Sequence, residues 1–209
     1  MISLGRCTGG WWLARLCIRP YLKGVFFMND AKTYELQVAG LTRQLPLCPI
    51  NDKTSIAAFI MFSDVELTVA CATELLKKVP QHDVILTAES KGIPLAYEMS
   101  RQSGVKYILA RKSAKLYMYN PIGVDVKSIT TARLQTLYLD QHDLEYLHGK
   151  RVLVVDDVIS TGESLNALEE LVRKAGGTIA GRAAVLAEGD AAQRDDILFL
   201  APLPIFTKE

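Results

Sequence analysis

The chain is expected to fold as an α/β protein with a central, mostly parallel sheet flanked by helices, and three observations lead there. Short apolar runs rich in Val, Ile and Leu alternate with segments whose apolar residues recur at helical spacing, the pattern of strands and crossover helices. The run Val152-Leu153-Val154-Val155 is apolar throughout, as a strand buried on both faces must be. At 209 residues, 49% hydrophobic and 22% charged, the chain has the bulk of one globular domain with at most a small appendage.

The first 27 residues stand apart. They carry Arg6, Arg15, Arg19 and Lys23 with no acidic residue, both tryptophans (Trp11, Trp12) and two of the four cysteines (Cys7, Cys17). Their apolar runs are broken by Arg15, Arg19 and Pro20, which fits neither a membrane span nor a signal peptide. Lys23-Gly24-Val25 precedes Met28, and its codons can spell a purine-rich ribosome-binding sequence. Translation is therefore expected to begin at Met28, with residues 1–27 a non-native or disordered leader; a short targeting segment or an amphipathic arm are the alternatives. Without it, 20 basic residues face 23 acidic ones, a balance that gives no reason to expect nucleic acid as a partner. Cys48 and Cys71 form no CxxC, and His82, His142 and His148 are scattered, so reduced thiols, a cytoplasmic location and no protein-built metal cage are expected.

Alternation of Tyr34, Leu36 and Val38, with a second run after Gly40, predicts a hairpin over about Lys32–Cys48, followed by an apolar stretch at 54–62. Ser63 and Glu66 have capping-box spacing, opening a helix to about Val79 with Val65, Val69, Ala72, Leu75 and Leu76 inward. Then come strand 83–88, helix 92–103 and strand 106–110. Val124, Val126, Ile129, Leu134, Leu137 and Leu139 are spaced as a two-stranded ribbon about the polar tip Thr130-Thr131-Ala132-Arg133. Asp143-Leu144-Glu145-Tyr146 is expected to be a solvated acidic turn. Strand 151–155, helix 163–175 ended by Gly176-Gly177, strand 178–187, strand 196–200 and a short apolar tail complete the chain.

The chemistry gathers at strand ends. Asp156-Asp157 follows the strongest strand, where paired carboxylates can hold ribose hydroxyls or a hydrated metal. Val158-Ile159-Ser160-Thr161-Gly162-Glu163-Ser164 then offers hydroxyls, backbone N–H groups and a helix start to a phosphate. Glu89-Ser90-Lys91-Gly92-Ile93-Pro94 forms a second anion cradle, with Gly92 permitting close backbone approach and Pro94 suited to a first helical turn. Arg111, Lys112 and Lys115 cluster after the next strand. An acidic pair after a buried strand also serves response-regulator receivers, but there it sits on the first strand and no phosphate loop follows. No GxGxxG or GxxxxGK[ST] occurs, so dinucleotide and P-loop readings lack support.

These motifs resemble, in order, the phosphoribosyl-pyrophosphate (PRPP) binding motif, the pyrophosphate loop and the R-K-x-x-K-L segment of type I phosphoribosyltransferases, closest to the adenine and xanthine (purine) enzymes. The resemblance covers roughly residues 60–206. It implies the type I phosphoribosyltransferase fold with a small N-terminal hood (28–62), a phosphoribosyltransferase core (63–209) and a mobile β-ribbon loop. It implies Asp156 and Asp157 as catalytic residues and Ser160, Thr161, Gly162, Glu163 and Ser164 on the 5′-phosphate. Glu89, Ser90, Lys91, Gly92, Arg111, Lys112 and Lys115 would take the pyrophosphate, with a non-proline cis peptide within Ala88–Ser90. Val158, Ile159 and Phe62 would face the base, and Mg²⁺ would enter with PRPP and water, with Asp156 and Asp157 near it. Phe62-Ser63-Asp64 is similar to the F-R-D of adenine enzymes with Ser in place of Arg, and no counterpart of their loop glutamate is identified. The implied reaction transfers the phosphoribosyl group of PRPP to a purine, adenine favoured, in a homodimer without nucleic-acid or membrane partners. A xanthine or hypoxanthine enzyme, or a PRPP-sensing regulator of the same fold, stays open.

Intact-mass measurement of the protein from its native source is expected to find Met28 as the first residue; a mass that includes Met1 would refute that start.

Overall fold

The computed structural model describes residues 32–126 and 135–207. The leader and Met28, together with Ile129, Leu134 and the ribbon tip Thr130–Arg133, lie outside the described residues. The elements in chain order are β1 (Thr33–Val38), β2 (Leu41–Pro49), β3 (Thr54–Ala57), α1 (Val65–Leu76), β4 (Val84–Ala88), α2 (Ile93–Ser103), β5 (Tyr107–Ala110), β6 (Ile122–Val126), β7 (Gln135–Leu139), α3 (Gln141–Leu147), β8 (Arg151–Ile159), α4 (Glu163–Lys174), β9 (Thr178–Glu188), a 3₁₀ turn (Gly189–Gln193), β10 (Leu198–Leu203) and β11 (Ile205–Thr207).

Five strands make an all-parallel sheet in the order β10-β9-β8-β4-β5. From β4 the chain passes through α2 to β5 on one side, then returns to β8 and winds through α4 to β9 on the other. Right-handed crossovers running in opposite directions must place their helices on opposite faces. Packing follows that rule. Ile85, Leu153 and Val155 point to the face covered by α1 and α2, with the hood residues Leu36, Val38 and Leu45. Val84, Leu86, Val152 and Val154 point to the face covered by α3, α4 and the ribbon residues Val124 and Leu137. The reversal of strand order falls between β4 and β8, the crevice where open α/β sheets hold their ligands.

Two smaller sheets complete the described residues. β1, β2, β3 and β11 form an antiparallel hood, and β6 and β7 pair as a ribbon from Ile122↔Leu139 to Val126↔Gln135. β11 closes the hood because the short apolar tail returns to β3, with Phe206 edge-on to Tyr34 at 5.4 Å between centroids.

Several expectations are corrected. The last parallel strand is Leu198–Leu203 rather than 196–200, and the apolar stretch at 54–62 contains the strand Thr54–Ala57. Asp64, not Ser63, caps α1: its carboxylate accepts the Leu67 N–H at 3.1 Å while Ser63 sits at φ 68°. Glu66 turns to Arg43 instead, which also grips Asp64. Of the residues expected inward, Ala72 and Leu75 are buried, with Leu67 and Cys71 beside them, while Val65 and Val69 face solvent. Asp143–Tyr146 is part of α3, capped by Asp140, whose carboxylate accepts the His142 N–H at 2.9 Å. Leu144 and Leu147 anchor it in the core; two apolar residues three apart were enough once the cap was in place.

Leu168 is fully buried between α4 and the sheet. Leu168→Ala is expected to cost about 2–5 kcal/mol, read as a lowered urea midpoint with an unchanged slope; a loss below about 1 kcal/mol would mean that the site collapses around the smaller side chain.

Candidate functional site

β8 does not stop before its acidic pair, as the sequence suggests, but runs on to Ile159, so Asp156 and Asp157 lie within the strand. Pairing with β9 carries through Asp156↔Ala184 and Val158↔Leu186, which gives the backbone a partner on that side while the carboxyls meet the crevice. Asp157 is 4% exposed and its Oδ2 has no hydrogen-bond partner. Its backbone N–H donates to Asp156 Oδ1 at 2.9 Å. Burial pushes both carboxyls above the ordinary carboxylate range; at Asp156 the neighbouring charge of Asp157 adds to the shift, while Lys112 opposes it there and Lys91 opposes it at Asp157.

Across the switch point, the loop after β4 closes against this pair. The Glu89–Ser90 peptide is cis, within the span expected. A Cβ on Gly92 would stand 3.0 Å from Asp156 Oδ1, 3.3 Å from Asp156 Cα and closer still to Thr87 Oγ1. Only a residue without a side chain lets the start of α2 approach β8 this closely. Pro94 follows in the first turn of α2, where its missing N–H costs nothing.

Ser160–Ser164 wraps the N-terminus of α4. Gly162 is its N-cap at φ 80°, and no side chain caps the helix, so the first-turn N–H groups are without a side-chain partner. On the far side of this turn, Arg194 Nη1 would lie 2.8 Å from a Cβ on Gly162. Arg194 is held there by Asp196 through two bonds of 2.8 Å.

Two adjoining cavities occupy the crevice. The first, about 190 Å³, is lined by Glu89, Ser90, Lys91, Lys112, Asp156, Asp157 and Ser164, with Val126, Gln135 and Leu137 of the ribbon as its roof. The second, about 120 Å³, is lined by Asp156, by Val158 and Ile159, and by Ser160 to Leu165. Asp156 and Ser164 belong to both. The structure thus brings together most of the residues singled out in the sequence.

Three are not brought in. Arg111 faces a separate cavity of about 460 Å³ beside β5 with Tyr107, Tyr117 and His142. Lys115 donates to Ser113 Oγ at 2.7 Å and lines neither of the adjoining cavities. Phe62 is 46% exposed and also lines neither. Sequence reasoning missed Gln135 and Arg194. Val126 and Leu137 were legible as ribbon residues, but nothing in the local sequence marks a polar ribbon residue as a roof or links Arg194 to a turn 32 positions away.

The phosphoribosyl transferase domain family model matches residues 64–201. An adenine phosphoribosyltransferase of Sorangium cellulosum is 31% identical over 172 residues, covering 78% of this chain and 82% of that one. A hypoxanthine/guanine phosphoribosyltransferase of Methanotorris igneus is 35% identical over 122 residues, covering 57% and 62%. The purine biosynthesis repressor PurR of Bacillus subtilis is 30% identical over 99 residues, covering 47% of this chain and 34% of its own length. In fold, the crystal structure of an adenine phosphoribosyltransferase from Thermoanaerobacter pseudethanolicus superposes with a TM-score of 0.57 at 19% identity, covering 82% and 95%.

A carboxyl raised by burial stabilises the fold only while protonated in both states, below the ordinary value of about 3.9; that contribution is lost as pH rises through the raised value, since the unfolded chain ionises freely and the native site does not. Asp157→Asn removes one such group. The unliganded variant is expected to melt above wild type at pH 8 and near it at pH 4. A gap that does not widen with pH would show that burial of Asp157 carries no such cost.

Proposed function

Because the chain belongs to the phosphoribosyl transferase domain family and is a phosphoribosyltransferase, we propose that it transfers the 5-phosphoribosyl group of PRPP to a purine base, adenine favoured, and releases pyrophosphate. The observation that carries this reading is the meeting, at one switch point, of a buried acidic pair with an open helix N-terminus on one side and a cationic cradle on the other.

In this reading Ser160, Thr161 and Ser164 place their hydroxyls, and Gly162 and Glu163 their N–H groups, around the 5′-phosphate. Hydrogen bonds to a charged group contribute about 1.5–3 kcal/mol each, so a few hold the phosphate without a lysine. Asp156 and Asp157 accept from the ribose hydroxyls, and their negative charge opposes the positive charge that builds on the ring as the leaving group departs. Ser90, Lys91, Gly92 and Lys112 receive the pyrophosphate. Val158 and Ile159 present apolar surface beside the sugar to the base. The ribbon excludes water that would otherwise hydrolyse PRPP.

The residues present also fit Mg²⁺. Two adjacent carboxylates, one oxygen unpartnered, suit a cation that keeps most of its shell as water and substrate oxygens, and among the described residues no cluster of three or more acidic, His or Cys side chains offers a cage. Asp156 and Asp157 would hold such an ion through its water shell, and the charge neutralisation it would supply falls on the pyrophosphate. A homodimer is the favoured assembly: β5 ends its sheet, and the loop beyond it exposes Leu116, Tyr117 and Tyr119. Among the described residues no helix is long and apolar enough to cross a membrane, and we favour a cytoplasmic salvage role. The match to PurR favours a second reading, a PRPP-sensing regulator that keeps the pocket without the turnover.

Pyrophosphate release from Mg²⁺-PRPP with adenine, hypoxanthine, guanine and xanthine tests both readings. Turnover with adenine above the others is expected. Turnover with another purine would relocate the base preference, and tight PRPP binding without turnover on any base would select the regulator. In the active protein, Asp157→Asn is expected to lower kcat at least about tenfold, the size of one lost interaction with a charged group, with the fold intact by circular dichroism; near-normal turnover would remove Asp157 from the mechanism.

A further inference from the structure

Glu89 sits on the cationic side of the first cavity, beside Lys91 and Lys112 and with the Arg111 Nε 3.8 Å from its Oε2. A leaving pyrophosphate gains nothing from an anion at that position, because like charges a few ångströms apart repel, and more strongly where water is displaced. The carboxylate is committed to the protein instead. Glu89 Oε2 accepts the backbone N–H of Lys112 at 2.9 Å, and the Glu89 backbone N–H donates to the Ala110 carbonyl at 2.8 Å. These two bonds fasten the loop after β4 to the loop after β5. The Lys112 N–H bond holds the carboxyl below the usual glutamate range, aided by the charges of Arg111, Lys115 and Lys112, so it remains an acceptor at neutral pH.

The same basic loop is fixed at two other points. Arg111 and Tyr138 exchange backbone bonds of 2.9 and 2.8 Å, and Asp140 Oδ2 accepts the Tyr119 N–H at 2.9 Å. Both tie it to β7 and α3. The Glu89 side chain ties it to the anion cradle, at the one residue of the loop that lines the first cavity.

We infer that Glu89 is a positioning residue: its carboxylate clamps the backbone at Lys112 and so delivers the Lys112 ammonium to the cavity, without itself touching the pyrophosphate. The inference rests on the transferase reading for its effect on substrate, but the clamp itself does not.

Three proteins and two readouts test it. Backbone hydrogen exchange over residues 111–119 of the unliganded protein is expected to speed up in Glu89→Ala and to stay near wild type in Glu89→Gln, whose amide oxygen can accept the same N–H. In steady-state assays with the preferred base, Glu89→Ala is expected to raise KM for PRPP roughly tenfold, the size of one hydrogen bond to a charged group, with a much smaller change in kcat. Glu89→Gln recovers most of that loss. In a Lys112→Ala background, Glu89→Ala adds less than about twofold, because the two act through one contact. Unchanged exchange in Glu89→Ala would overturn the clamp. A Glu89→Gln protein as impaired as Glu89→Ala, with a raised magnesium requirement, would overturn it in favour of a direct role for the charge. Wild-type protein that turns over no base while showing the exchange pattern would sink the transferase reading and leave the clamp standing.

Discussion

Asp157 is buried at 4% exposure with one carboxylate oxygen unpartnered and Asp156 next to it on the same strand. Such an arrangement is costly, because desolvation and mutual repulsion both disfavour the charged forms. It persists because β8 is the middle strand of the parallel sheet, braced by β4 and β9 and packed on both faces by fully buried aliphatic residues from Val152 to Val155. The core supplies the stability that the acidic pair forgoes. The unpartnered Asp157 oxygen is left free to accept from whatever enters the crevice.

The loops around the pair are shaped by the same constraint. Gly92 brings the start of α2 against Asp156, and any side chain there would collide with Thr87 and Asp156. Lys91 and Lys112 stand close enough to moderate the carboxyl shifts. The first cavity therefore has an acidic wall on β8 and a cationic wall on the loops after β4 and β5. Glu89 separates these roles: its negative charge is spent within the protein, on the Lys112 backbone.

Much of this was legible one element at a time. Strands β4, β5, β8 and β9 and helices α2 and α4 announce themselves because their apolar residues follow the period of a single element, and burial on both faces of a parallel strand leaves an uninterrupted apolar run. The Ser160–Ser164 and Glu89–Gly92 loops were legible as turns from strand to helix because small, hydroxylated or glycine residues interrupt the apolar pattern there. Misreadings fall where two local signals compete. Ser63 and Asp64 are both good caps, and the Arg43 guanidinium, distant in sequence, binds Glu66 and also holds the Asp64 carboxylate that caps α1. α3 was read as a turn because a seven-residue helix shows barely two turns of periodicity.

From the sequence alone came the α/β class, the order of the parallel strands along the chain and the acidic pair with the small, hydroxylated loop that follows it, all of which depend on residues near one another in the chain. Tertiary structure decided which strands are neighbours, and hence that the loops after β4 and β8 face each other across a switch point. It also sent Arg111 to a different cavity from Lys112, set Gln135 of the ribbon over the site, placed Arg194 behind Gly162 and gave β11 to the hood. Each of those outcomes depends on contacts between residues far apart in the chain, and no local pattern of residue types encodes which distant side chain will arrive to make them.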